Sequence, residues 1–272
     1  APLAHRLGMQ RIKQELENML AESRSEYEEF FKNFGLQLKF GIYQNFGMNK
    51  AFLQDLLLFK SVKNDKYVTL KEYVSAMPED QKYVYYATGK SVDSIKMMPQ
   101  LDKITEKGFD VLCMTDDVDE FTVKSINDYD SKQFRSISGG DLGIDEDSAE
   151  DEYKELADFM KETLGDKVEK VRISTRIKNH PVCFTVEGDV SLEMEKVLNS
   201  MPNANGQIKA RKVLEVNSQS EVLKKLNGLF ETDKEEAKEL TVILYKLACI
   251  IEGMPVDNPT ELTDSVCKFI AK

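Results

Sequence analysis

Residues 138–152, S-G-G-D-L-G-I-D-E-D-S-A-E-D-E, constrain the fold more than any other stretch of the chain. Glycines and a run of carboxylates offer almost nothing to bury, so the segment reads as a solvated linker. It divides the 272 residues into a part over 1–137 and a part over 153–272, each long enough to enclose a core of its own. A calcium loop is the sharper reading of the same carboxylates, but the D-x-[DN]-x-[DN]-G spacing it requires is absent.

The first part opens with helices over 3–78. Leu3, Leu7, Ile12, Leu16 and Met19 keep helical spacing over the first. Ser23-Arg24-Ser25-Glu26 has the form of a capping box and opens a helix with Tyr27, Phe30, Phe31 and Phe34 on one face, for which Gly35 supplies a left-handed stop. Asn49 caps a third helix, K-A-F-L-Q-D-L-L-L-F-K-S, and Thr69-Leu70-Lys71-Glu72 caps a short fourth ending near Pro78. Over 81–137 the pattern changes. The strands K-Y-V-Y-Y-A-T, F-D-V-L-C-M and K-Q-F-R-S-I alternate with helices, which predicts a small parallel sheet in an αβα sandwich.

The second part reads as helix, two strands (V-E-K-V-R-I-S-T-R-I and V-C-F-T-V-E-G), helix S-L-E-M-E-K-V-L-N-S-M, strand K-V-L-E-V-N, and three helices. The fold class is therefore α+β / α/β: a helical bundle, a small αβα sandwich, then an α+β domain ending in a helical bundle. Thr232-Asp233-Lys234-Glu235 caps the penultimate helix, which carries Leu240, Ile243, Leu244, Leu247 and Ile251. Asn258-Pro259-Thr260-Glu261 opens the last, with proline at the first helical position and Leu262, Val266, Phe269 and Ile270 on one side. These two helices are apolar over more than one neighbour would cover, which predicts a bundle completed by a second copy of the chain.

Charge and composition narrow the function. A net charge of −11 repels a phosphate backbone, so nucleic acid is not an expected partner. No apolar run approaches the roughly 20 residues of a membrane span, and the start A-P-L-A-H-R-L-G-M-Q has no signal-peptide core, so it reads as the beginning of an excised fragment with its first residues left from cloning. Cys113, Cys183, Cys249 and Cys267 are far apart in apolar segments and read as free thiols of a reducing cytosol. With only His5 and His180 present, a zinc site or a histidine triad has little to draw on. Asp116, Asp117, Asp119 and Glu120 could form a metal or acid-base site of an enzyme, but suit an N-cap and first helical turn better.

The end of A-T-G-K-S, residues 87–91, matches the close of a phosphate-binding loop. That loop needs Gly-x-x-x-x-Gly-Lys-[Ser/Thr], whose first glycine lets the backbone amides wrap the phosphates. Val84 occupies that position, so the stretch reads as a turn with Ser91 capping the next helix.

In its wider context the same stretch, Y-V-T-L-K-E-Y-V-S-A-M-P-E-D-Q-K-Y-V-Y-Y-A-T-G-K-S, resembles the middle-domain signature of the ninety-kilodalton heat-shock chaperones, the bacterial branch above all. Leu70, Glu72, Tyr73, Met77, Gln81, Tyr85, Tyr86, Thr88, Gly89 and Ser91 match it, while Ala76 stands where the family has arginine. Y-E-E-F-F-K-N-F-G-L-Q-L-K-F-G-I, L-L-L-F-K-S, G-F-D-V-L-C-M-T-D-D-V-D-E-F and G-D-K-V-E-K-V-R-I-S-T-R-I agree in order and spacing from Tyr27 onward. The resemblance implies the later part of a middle domain (1–137), a linker, and a C-terminal dimerisation domain (153–272) of a cytoplasmic chaperone. ATP and magnesium would belong to a nucleotide domain outside this chain, which on this reading has no catalytic residues, metal or cofactor; Arg6 and Arg11 match no phosphate-contacting motif. The implied partners are a second copy of the chain and unfolded or partly folded client proteins. The implied client contacts are Phe121 and Lys124 after the Asp-Glu pair, and Met194, Leu198 and Met201 on the S-L-E-M-E-K-V-L-N-S-M helix. The implied dimer contacts are the nine apolar residues of the last two helices.

Overall fold

The computed structural model describes residues 2–44, 46–144, 152–202 and 208–271, with the side chains of 2–7 left aside. Leu3, Leu7, His5 and Arg6 as side chains, and 145–151 of the expected linker, therefore lie outside the described residues. The chain forms two compact units, one of residues 1–96 and 108–136, the other of 97–107 and 137–272.

The first unit begins with α1 (Pro2–Glu22) and α2 (Arg24–Tyr43). Ser23 stands at the start of α2 but its hydroxyl makes no capping bond. The helix then runs through Gly35, contrary to the expected stop. A Cβ at Gly35 would sit 2.6 Å from the Phe31 ring, so glycine there makes room for a buried aromatic one turn back. The expected third helix breaks early: only α3 (Lys50–Leu53) and a single 3-10 turn form before β1 (Leu58–Ser61), and Asn49 spends its side chain on Gly41 O instead of a cap. The end of L-L-L-F-K-S, Leu58–Ser61, is a largely buried strand, not a helix.

Strands β2 (Tyr67–Thr69), β3 (Val84–Thr88), β4 (Leu112–Met114), β5 (Asp128–Tyr129) and β6 (Lys132–Ser136) complete a six-stranded sheet of order β2-β1-β4-β3-β6-β5. The inner strands β4, β3 and β6 are parallel, as expected, and antiparallel pairings add β1, β2 and β5 outside them. The helices of this unit are completed by α4 (Leu70–Ser75), α5 (Val92–Lys96) and α7 (Asp119–Ile126). Alternation along β3 sends Val84 and Tyr86 into the core with Tyr27, Phe31 and Val123, while Tyr85 stacks on Phe109 across the sheet. The Thr69 box forms in full: Thr69 Oγ1 accepts from Glu72 N and Glu72 Oε2 from Thr69 N. The Tyr73 hydroxyl accepts from Gln81 Nε2 and Tyr85 N and donates to Asp110 O. The matched signature residues thus tie α4 to the sheet.

The second unit takes α6 (Leu101–Glu106) from the earlier part of the chain, then α8 (Lys154–Leu164), β7 (Lys170–Ser174), β8 (Val182–Glu187), α9 (Leu192–Ser200), β9 (Arg211–Asn217), α10 (Glu221–Thr232), α11 (Lys234–Ile251) and α12 (Pro259–Ile270). β9 lies centrally, parallel to β7 and antiparallel to β8. Leu156 and Met160 of α8, Phe184 of β8, Leu214 and Val216 of β9 and Leu223 of α10 share one core with α11. Caps set the helix starts: Ser220 for α10, Asp233 for α11, Asn258 with Pro259 for α12. The expected linker does not begin at 138, since Leu142 is fully buried and Gly140 N donates to Val186 O. The chain is a mixed α+β fold.

Candidate functional site

Among the described residues the expected contacts fall on three partly open apolar surfaces, one in the first unit and two in the second. The first is built where α2 meets α7. The Tyr43 ring lies 5.4 Å from Phe121 and 6.4 Å from Phe40. Gly47, at φ +77°, fits against Ser125 O, where a Cβ would come to 2.6 Å, and so sets Phe46 and Met48 beside α7. Phe46 is 94% exposed and Met48 78%. Phe121 is half-buried and Lys124 exposed, its Nζ 3.7 Å from Glu120 Oε1.

Beneath this platform Asp116, Asp119 and Glu120 of the acidic cluster are engaged, while Asp117 is exposed. Lys39, buried in α2, sets its Nζ 2.7 Å from Asp116 Oδ2 and 2.6 Å from Asp119 Oδ1. Asp119 Oδ2 accepts from Asp116 N, and Glu120 Oε1 accepts from the Tyr86 hydroxyl. Burial works against the Lys39 charge, yet the two aspartates outweigh it and hold the ammonium above the usual lysine range. Burial also pushes the Asp119 carboxyl up. We take this pair as ionised, since the Lys39 ammonium and the Asp116 amide both converge on the Asp119 carboxylate. Asp119 and Glu120 stand in the first turn of α7, as expected, but no side chain caps the helix; the Lys39 pairs anchor it instead. Among the described residues no cluster of three His, Cys, Asp or Glu could hold a metal.

The second surface is α9. Ser191 Oγ caps it by accepting from Met194 N, and no residue of the helix is fully buried. Met194 and Leu198 are half-buried and Met201 is 42% exposed.

The third is the pair α11–α12. Leu240 and Leu244, expected at a partner, instead enter the core of their own unit, because the face of α11 bearing Ala237 and Ala248 packs on α8 and β8. Ile243 and Leu262 are also buried, and Leu247, Val266 and Phe269 are half-buried. Ile251 is 42% and Ile270 79% exposed, joined by Ile250 at 54%. Lys268–Glu239 and Lys246–Glu261 ion pairs tie the two helices together.

Comparison with known proteins decides the family. The Hsp90 protein family profile matches residues 9–272. The chain belongs to the Hsp90 family. It is 49% identical over 267 residues to the chaperone protein HtpG of Bacillus subtilis (strain 168), and 51% over 267 residues to that of Clostridium botulinum (strain Langeland). The Clostridium perfringens (strain 13) chaperone protein HtpG is 47% identical over 264 residues. Each alignment covers 96% of this chain and 42% of the relative, so the chain spans less than half the length of the relatives it matches.

The G-K-S stretch of this Hsp90 chain forms the turn and helix start expected of it. Val84 is fully buried within β3, the Ser91 hydroxyl is taken by Ser94 N, and α5 beyond it has five residues. Lys39, Tyr43 and Ile250 escaped the sequence reading. Ending α2 at Gly35 hid the first two, although Lys39, Phe40 and Tyr43 continue its spacing. Ile250 sits beside Ile251 in an apolar run whose exposed side only tertiary packing selects. Among the described residues no helix is long and apolar enough to cross a membrane.

Proposed function

We propose that this chain is the part of an ATP-dependent cytoplasmic chaperone that joins two copies and contacts partly folded clients. The later middle domain (1–137) supplies the Phe121–Lys124 platform and the C-terminal domain (153–272) supplies α9 and the dimer surface. ATP and magnesium would be held by residues outside this chain, and no hydrolysis step is assigned to it.

The observation that carries the reading is apolar surface left open on both kinds of contact: Ile250, Ile251 and Ile270 at the last helices, and Met201 with half-buried Met194 on a helix that buries no residue. Unbranched thioethers adapt to many apolar shapes, as a surface accepting varied clients must. The test is suppression of aggregation of a denatured protein by the chain and by Met194→Ser plus Met201→Ser. Loss of suppression at unchanged dimer mass is expected. Full suppression by the variant would leave α9 without a client role and the chain as a plain dimerisation module.

A further inference from the structure

The segment that composition assigns to solvent begins with a single β-bridge onto β8, an edge strand of the second sheet. Gly140 N donates to Val186 O and Val186 N to Ser138 O, both at 2.8 Å, and Gly139 bridges Val186 in the parallel sense. Two guanidiniums close over this pairing. Arg176 donates from Nη2 to Gly139 O at 3.0 Å and from Nη1 to Gly140 O at 3.2 Å, and Arg172 donates from Nη1 to Gly140 O at 3.0 Å. Behind them stands Glu215 on β9, wholly buried, with Oε2 3.4 Å from Arg176 Nη1 and 3.8 Å from Arg172 Nη1. Ser174 and Thr185 hydroxyls donate to the same carboxylate. Gly140 fits closely, since a Cβ there would meet Val186 O at 3.3 Å.

A buried ion network is a costly way to stabilise a sheet, because apolar residues of similar volume often do as well or better. Here its outward side reaches two backbone carbonyls of an incoming segment and, through Arg172, the Glu187 carboxylate. We propose that Arg172, Arg176 and Glu215 form a latch that grips the carbonyls of Gly139 and Gly140 and can release 138–142 while the sheet behind stays folded. β8 is held to β9 by a register of six residue pairs, from Val182↔Val216 to Glu187↔Arg211, whereas 138–142 meets β8 at one bridge, with two backbone bonds to Val186, the guanidinium contacts and buried Leu142 among its described anchors. It is the part of this sheet that opens first. Only Ile137 separates it from the end of β6 at Ser136. Latched, 138–142 belong to the second unit; released, they lengthen the connection between the units.

Hydrogen-exchange mass spectrometry of the 272-residue chain tests this. Glu215→Gln keeps polar partners for Ser174 and Thr185 and removes the counter-charge. Exchange over 137–142 is expected to accelerate about tenfold, with β9 and α8 within about twofold of the parent. Arg172→Gln, at the rim of the network, should give a smaller acceleration confined to the same peptide, and decides the matter alone if Glu215→Gln does not fold. Unchanged exchange over 137–142, or acceleration spread evenly through β7, β8 and β9, would overturn the latch.

Discussion

Replacing Ile250 and Ile270 together by serine tests the pairing of two copies most directly. The two side chains are 54% and 79% exposed in the single chain, and that open fraction is what a partner can cover. Full burial of an isoleucine is worth about 1.5–3 kcal/mol, so the open fractions amount to roughly 1 kcal/mol at Ile250 and roughly 2 at Ile270. In a two-fold pair each residue counts twice, and the double variant should lose about 6 kcal/mol, or on the order of 10⁴-fold in dimer Kd. Sedimentation velocity across a micromolar concentration series reads this as a dimer-to-monomer shift. Ile12→Ser is the control: Ile12 is 59% exposed on α1, so its loss removes similar apolar surface where no pairing is proposed. A parent chain that sediments as one subunit at micromolar concentration refutes the reasoning, as does an Ile12→Ser effect equal to that of the double variant.

Lys39→Met should cost about 3–5 kcal/mol in urea unfolding, because it strands the Asp119 carboxylate, 1% exposed, without its counter-charge; adding Asp119→Asn should recover much of the loss. Of the thiols, Cys267 is exposed and the other three are buried, with burial pushing the Cys113 thiol up to about 12. A disulfide reagent at neutral pH should therefore label Cys267 rapidly and Cys113, Cys183 and Cys249 only on unfolding. Glu187 has its carboxyl held below the usual range, first by the hydrogen bond from Lys170 and further by Arg172 and Arg211, with burial opposing. A depressed folded value means stability present above the unfolded value and lost as pH falls below it, so unfolding midpoints should drop on acidification below about pH 4.5, and less so in Glu187→Gln.

Signals carried by a few adjacent residues were legible in the sequence. The Thr69 box, the Asn258-Pro259 start of α12, and the parallel core of β3, β4 and β6 depend on local chemistry and simple periodicity. Failures came where one pattern serves two structures. The apolar run of residues 56–59 suits a buried helix or strand equally, and only pairing with β2 and β4 selects the strand. Gly35 looks like a stop unless one knows that Phe31 needs the space. At the candidate site, residue types on α9, α11 and α12 were readable, but their exposure was not. Whether Leu240 faces a neighbour within the unit or remains open depends on α8, some eighty residues away in sequence. The glycines of 139–140 read as flexibility, because the arginines that grip their carbonyls lie more than thirty positions later.

The path of the chain through its two units bears on how the molecule is made. Residues 97–107 leave the first unit to join the second, where Gln100 donates to Phe184 O and Glu252, and Asp102 receives the amides of Lys178 and Asn179. On a ribosome, α6 therefore emerges well before these partners and must wait until Lys178, Phe184 and Glu252 follow. A piece cut at the apparent boundary of 137 would lack that docking helix altogether, so truncations meant to isolate the C-terminal half should carry α6 with them or risk soluble aggregates mistaken for self-association.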